Sequence, residues 1–226
     1  MEVLLIIGTV LASVVVGYLI GSIPTSVIIG KVFFRKDVRD YGSHNAGGTN
    51  AGRVFGRKVG LLVMILDILK SALPLWGIYF LVTKTAFGTY APTPWTYYLA
   101  AFGELLGHCY PIFAKFKGGK AVSSFAGFVF GTNWILGLIG LALMLIVLKI
   151  KKHVSLGSIV ASGFVTVFSL FSLLPATATL GFWPGMEGGV IYIVLLMVET
   201  QYLFERHHEN IGRLLHHKES RIKWMH

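Results

Sequence analysis

The chain has 226 residues, of which 54% are hydrophobic and 13% charged, and it carries a formal net charge of +10. A charged share so far below the usual quarter excludes an ordinary soluble domain. In so apolar a chain the excess of Lys and Arg points to cytoplasmic loops, anionic headgroups or a phosphorylated substrate rather than nucleic acid.

The first apolar stretch, 3–34, has no charge from Val3 to Gly30. It is too long for a signal peptide, begins with Glu2 instead of a basic segment and lacks a small-x-small cleavage site, so it is read as a retained span. Further apolar stretches follow at 59–83, 95–114, 121–132, 134–148, 156–174 and 187–204. The run 121–148 is ambiguous: one helix of that length would measure roughly 42 Å at 1.5 Å per residue. A turn at Thr132-Asn133 divides it into two short arms and is preferred.

Charge sets the expected sidedness. Seven basic residues lie between Lys31 and Lys58, three at Lys115, Lys117 and Lys120, three at Lys149, Lys151 and Lys152, and five in the tail at Arg206, Arg213, Lys218, Arg221 and Lys223. Seven crossings with an outside N-terminus place these eighteen of twenty Lys and Arg residues inside, as the positive-inside rule requires. The exceptions are Lys84 and the intramembrane Lys70. The expected fold is an all-α integral membrane protein: one membrane-embedded domain over 1–226, a bundle of about seven transmembrane helices, with a cytoplasmic C-terminus.

Small residues at spacing four, Gly17 and Gly21, Gly103 and Gly107, Gly127 and Gly131, predict close helix packing in lipid. Trp76, Trp95, Trp134 and Trp183 are placed near span ends as interfacial anchors. Asp67 and Lys70 are spaced to pair on one helix. With Glu104, His108 and Glu199 they are ionisable groups inside apolar stretches, so they face the protein interior. The lone Cys109 excludes an internal disulfide and reads as buried packing.

Three loops carry the candidate chemistry. The first, D-V-R-D-Y-G-S-H-N-A-G-G-T-N-A-G-R-V-F-G from Asp37 to Gly56, mixes glycines with Ser43, His44, Asn45, Thr49, Asn50 and Arg53. A flexible backbone with amide, hydroxyl and guanidinium donors suits a phosphate or an oxyanion; the alternative is a polar surface loop. The spacing defines no Ser-His-Asp triad. The second, G-H-C-Y-P-I-F-A-K-F-K-G-G-K-A-V-S-S from Gly107 to Ser124, sets Gly118 and Gly119 between Lys117 and Lys120 just before an apolar helix, which suits an anion; the alternative is a lysine anchor. It is not a Walker A loop, because Ala121 follows the Lys where Ser or Thr is required. The third, E-R-H-H-E-N-I-G-R-L-L-H-H-K-E from Glu205 to Glu219, reads as an amphipathic helix. Neighbouring His207 and His208 diverge on such a helix, so no metal is inferred.

Together the three loops resemble the three signature motifs of the bacterial acyl-phosphate:glycerol-3-phosphate acyltransferase family. The matching segments are G-S-H-N-A-G-G-T-N with Arg53, P-I-F-A-K-F-K-G-G-K-A-V, and R-H-H-E-N-I-G-R-L-L, in order between about Tyr18 and Lys218. Y-L-I-G-S-I-P-T and H-V-S-L-G-S also fit. The resemblance implies transfer of a fatty acyl group from acyl phosphate to the 1-hydroxyl of glycerol 3-phosphate, giving lysophosphatidic acid and phosphate, at the cytoplasmic face of the bacterial plasma membrane. Its partners are those two substrates and membrane lipids, with no cofactor, no metal, no nucleic acid and no obligate protein partner.

By resemblance the catalytic residues are Ser43, Asn45, Arg53, Lys120, His207 and Asn210. Thr49, Asn50, Lys117, Gly118, Gly119 and Ser155 bind substrate, and Glu209 supports the fold. The position of His44 is often Gly in the family, which disfavours it as a base and leaves His207 as the protein candidate. The main rival reading is a transporter for an anionic metabolite, which predicts polar motifs on both faces and ionisable groups along a path near mid-bilayer.

Overall fold

A computed structural model describes residues 2–91 and 94–222; the expectation for Lys223 lies outside them. The described residues are helical, with one isolated antiparallel bridge between Asn133 and Phe182. The helices are α1 (Glu2–Gly21), α2 (Thr25–Phe34), α3 (Gly48–Phe55), α4 (Arg57–Lys84), α5 (Trp95–Cys109), α6 (Val122–Thr132), α7 (Trp134–Lys151), α8 (Val154–Phe168), α9 (Val190–Arg206) and α10 (His208–Leu215). They form two compact units, Met1–Gly131 and Thr132–His226.

Solvent is inverted relative to a soluble protein. Helix α1 buries Ser13, Gly17 and Gly21 and exposes Leu4, Leu11 and Val15. That pattern fits a surface facing hydrocarbon, where small residues set helix contact. Four helical stretches among the described residues are long and apolar enough to cross a membrane: Glu2–Phe34, Arg57–Lys84, Trp134–Lys151 and Val154–Leu173. The protein is therefore a multi-pass membrane protein. Helices α5, α6 and α9 are shorter, at 15, 11 and 17 residues.

In the first unit the predicted glycines bring backbones together. A Cβ at Gly17 would lie 1.9 Å from Ala100 O, at Gly21 2.1 Å from Glu104 O, at Gly103 2.2 Å from Val14 O and at Gly107 2.1 Å from Tyr18 O. Helices α1 and α5 thus touch along four glycines, two from each. Helix α6 meets α4 similarly: a Cβ at Gly127 would lie 2.5 Å from Ile68 O, and Ser71 Oγ donates to Ser124 O at 3.0 Å.

Three expectations change. The stretch 3–34 is not one helix: it stops at Gly21 and restarts at Thr25. Pro24 has no N–H to continue the ladder and disfavours helical backbone in the residue before it. Trp76 is not an end anchor: it lies inside α4 and its indole donates to Gly131 O at 2.8 Å. The tail from Glu205 is not a continuous helix: α9 ends at Arg206, His207 leaves helical geometry, and α10 runs only to Leu215. The break at Asn133 falls where it was expected, and its side chain caps α7 by accepting from Leu136 N at 3.0 Å.

Below the break between α1 and α2 lies the expected intramembrane pair. Lys70 Nζ is 3.0 Å from Asp67 Oδ1. Thr25 Oγ1 donates to the same oxygen at 2.7 Å, and Lys70 donates to Ile23 O at 3.1 Å. The pair thus satisfies backbone that Pro24 releases from the helix and fastens the start of α2 to α4.

Candidate functional site

The first loop is ordered by one amide. Asn50 is buried; its Oδ1 accepts from Ser43 N at 2.8 Å, and its Nδ2 donates to Val38 O, Tyr41 O and Asn45 O at 2.9–3.0 Å. Asn50 was expected to bind substrate; both ends of its side chain hydrogen-bond within the loop itself. Gly42 sits at φ +65, and a Cβ there would meet Asn50 Oδ1 at 2.3 Å.

Nor are the other glycines a flexible tether. Gly48 and Gly52 belong to α3, and Gly60 of α4 approaches Gly52 so closely that its Cβ would lie 2.6 Å from Gly52 Cα. An apolar cluster of Val27, Ile29, Val38, Ala46, Ala51 and Val63 sits beneath. This packing fixes where the polar side chains stand. Ser43 and Arg53 are exposed, and Thr49 is half-buried one helical turn before Arg53. The Ser43 hydroxyl makes no hydrogen bond to the described residues. His44 adopts φ 57, a left-handed conformation that suits glycine.

The second loop is held against the first. Asn45 Nδ2 donates to Gly118 O at 3.3 Å while its Oδ1 accepts from Gly47 N at 2.9 Å. Arg39 Nη1 donates to Ala114 O at 2.7 Å and Lys117 O at 3.3 Å. Arg39 is itself held by a two-pronged pair to Asp37, Nε to Oδ1 at 2.9 Å and Nη2 to Oδ2 at 2.7 Å. The Arg39 hydrogen bond draws the Asp37 carboxyl down to about 2 against the opposing effect of burial. Sequence reasoning counted Arg39 only as a marker of sidedness and missed this clamp.

Gly118 and Gly119 are buried, Lys120 is half-buried and Lys117 exposed. The segment passes through Ala121 at φ 64 into the first turn of α6. Helix-start N–H groups beside a Gly-Gly-Lys run suit an anion. The first unit therefore ties the loop that carries Ser43, Asn45, Thr49 and Asn50 to the loop of Lys117, Gly118, Gly119 and Lys120 through Asn45 and Arg39.

The second unit holds Ser155, His207, Asn210 and Glu209. Glu219 accepts from Ser155 Oγ at 3.0 Å, Asn210 Nδ2 at 2.8 Å and Arg213 Nε at 2.9 Å. Ile222 N donates to Lys152 O at 2.8 Å, so the end of the chain returns to the start of α8. His207 is buried, and its Nδ1 donates to Leu203 O at 2.8 Å, which makes Nε2 the basic nitrogen of the neutral ring. Glu209 is exposed and pairs with Arg213 at 3.5 Å. Glu219 ties this segment together, because it reaches both α8 and α10.

Burial opposes the charge on Glu219, but hydrogen bonds from Arg213, Asn210 and Ser155 outweigh it and hold the carboxyl below its ordinary range. A depressed folded value gives stability that is complete above the ordinary carboxylate pKa and is lost as pH falls through the folded value. Glu219→Ala is expected to lower stability by about 2 kcal/mol near neutral pH, with the deficit shrinking in acid. Glu209→Ala is expected to stay within about 0.5 kcal/mol. Thermal unfolding in detergent from pH 7 to pH 3 checks both.

A multi-pass membrane helix scaffold carrying ordered loops rich in glycine, asparagine and lysine is the class of protein these features define. The family model for glycerol-3-phosphate acyltransferase matches residues 11–217. Glycerol-3-phosphate acyltransferases of Staphylococcus aureus strains JH9 and Newman are each 38% identical over 220 residues, covering 96% of this chain and 99% of theirs. Two crystal structures of PlsY (YgiH), an integral membrane glycerol 3-phosphate acyltransferase, also match over 94% of this chain and 95% of theirs. The glycerol 3-phosphate form gives a TM-score of 0.78 at 33% identity, and the lysophosphatidic acid form 0.75 at 31%. The chain belongs to the glycerol-3-phosphate acyltransferase family.

Proposed function

We propose that this protein transfers a fatty acyl group from acyl phosphate to the 1-hydroxyl of glycerol 3-phosphate, releasing lysophosphatidic acid and inorganic phosphate. The observation that carries the reading is the Gly118–Gly119–Lys120 run bound through Asn45 to the Ser43–Arg53 loop, on apolar helices in a chain of this family. Seven crossings with the N-terminus outside put eighteen of twenty Lys and Arg residues on the cytoplasmic side of the plasma membrane, where an acyl tail enters from lipid and glycerol 3-phosphate from water.

Both substrates are anionic and the donor is already an activated anhydride, so the protein has to position and neutralise more than activate. Arg53, Lys117 and Lys120, with the amides of Gly118 and Gly119, offset phosphate charge. Ser43, Asn45 and Thr49 orient the reacting groups, and Ser155, His207 and Asn210 add polar contacts. The glycerol hydroxyl oxygen bonds to the acyl carbon as the bond from that carbon to the phosphate oxygen breaks. The hydroxyl proton passes to a substrate phosphate oxygen, with His207 Nε2 as the protein base to test against it.

The test uses donor labelled in its acyl chain. With glycerol 3-phosphate present, lysophosphatidic acid and inorganic phosphate should form in equal amounts; without acceptor, no label should remain on the protein. Label trapped on Ser43 would replace direct transfer with an acyl-enzyme route.

A further inference from the structure

The Gly118–Gly119 segment rests on a residue that the proposed reaction does not use. The N–H of Gly119 donates to His108 O at 2.9 Å, and a Cβ at Gly118 would lie 2.1 Å from that same oxygen. A Cβ at Gly119 would lie 2.0 Å from His108 Nε2 and 2.7 Å from Cε1, so the imidazole edge fills the space a side chain would need. His108 is itself buried at the end of α5.

The far edge of the ring is held from α4. Lys70 Nζ approaches His108 Nδ1 at 3.4 Å, besides Asp67 Oδ1 at 3.0 Å and Ile23 O at 3.1 Å. An ammonium has three N–H groups and no lone pair, so these contacts use all three and require Nδ1 to accept. The ring is then neutral with its proton on Nε2, the edge against Gly119. Thr25, Asp67, Lys70 and His108 form one chain of contacts from the start of α2 to the glycine pair.

We infer that His108 is a positioning residue for the Gly118–Gly119–Lys120 loop: its ring, braced by Lys70, fixes the backbone that receives substrate phosphate without touching substrate. This rests on the proposed function and adds to it the reason the loop has two glycines. Each would otherwise strike His108, one at its carbonyl and the other at its ring. A misplacement on the order of 1 Å in a positioned loop costs up to about a hundredfold, and here the loss should fall on phosphate binding.

A double-mutant cycle between His108→Ala and Gly119→Ala tests this, read as KM and kcat for glycerol 3-phosphate and as its calorimetric binding without donor. Gly119→Ala alone should raise KM and weaken binding about tenfold with kcat within about threefold. In the His108→Ala background the added methyl has room, and the same change should cost less than about threefold. The double variant Asp67→Ala, Lys70→Met, which removes the brace without leaving a buried unpaired charge, should give the same KM-weighted loss. If His108→Ala does not fold, His108→Leu, which lacks the ring edge at Gly119, takes its place in the cycle.

Equal losses from Gly119→Ala with and without the ring would overturn the inference. So would a fall in kcat at unchanged KM on removing His108. Wild-type protein that binds glycerol 3-phosphate but forms no lysophosphatidic acid would defeat the acyltransferase reading, and the cycle would be decided on binding alone. Wild-type protein that does not bind it would overturn both.

Discussion

Lys120→Ala is expected to lower acyl transfer by about 10²–10³-fold while the protein remains folded. Lys120 is the cation next to the buried glycine pair and the first turn of α6, and it is half-buried. Charge placed there is less screened than charge in water, and it faces substrates that both carry phosphate in the proposed reaction. Lys115 supplies the comparison. It lies in the same loop, is exposed, and belongs to no proposed contact, so Lys115→Ala should stay within about threefold. Steady-state assays at matched expression and matched thermal unfolding separate the two. Equal, small losses in both variants would mean that the loop acts as a diffuse basic surface and does not hold a substrate phosphate.

Asp67→Ala is expected to remove about 3–5 kcal/mol of stability, the cost of leaving the other member of a buried ion pair uncompensated. Asp67 is 1% exposed and Lys70 8%, and Lys70 would keep only Ile23 O and His108 Nδ1 in a segment surrounded by apolar helix. The double variant Asp67→Ala, Lys70→Met removes both charges and should recover most of the loss, because apolar replacement of a whole buried pair is often neutral. Unfolding in mixed micelles with increasing denaturing detergent measures each variant. A single variant within about 1 kcal/mol of wild type would show that the pair does not anchor the α1–α2 break.

Much of the helical scaffold was legible because its signals are local. Four-residue glycine spacing in α1 and α5 needs no knowledge of the partner helix, and the contacts are backbone to backbone. Asp67 and Lys70 are three apart on one helix, and Asn133 between two apolar runs is a residue type strongly preferred as a helix cap. The break at Pro24 was equally local and was lost for a different reason: hydropathy is blind to a missing N–H. Residues on both sides are apolar, so the stretch read as continuous.

The site was legible as composition and not as wiring. Ser43, Asn45, Asn50 and Arg53 look alike as donors in a sequence. Which of them faces outward is decided by contacts such as Asn50 to Val38 O and Asn45 to Gly118 O, the latter 73 positions away. The same distance in sequence hid Arg39, whose partners Ala114 and Lys117 are 75 and 78 positions on. It also hid Glu219, which meets Ser155 from 64 positions away. Glu209, inside the third motif, pairs with Arg213, while Glu219, beyond that motif, reaches α8 as well as α10. Glycine-rich stretches misled in one further way. They suggested mobility, but Gly48, Gly118 and Gly119 are small because another group already occupies the space beside them.

The most direct test of the account supplies purified protein in lipid nanodiscs with radiolabelled glycerol 3-phosphate and, in parallel, palmitoyl phosphate, palmitoyl-CoA or palmitoyl carrier protein. Labelled lysophosphatidic acid from palmitoyl phosphate alone is the predicted result. Product from the thioesters but not from acyl phosphate would contradict the donor and with it the direct-transfer chemistry. No product from any donor, with the protein folded and glycerol 3-phosphate moving across the nanodisc-equivalent bilayer of a proteoliposome, would contradict the enzyme and favour a carrier.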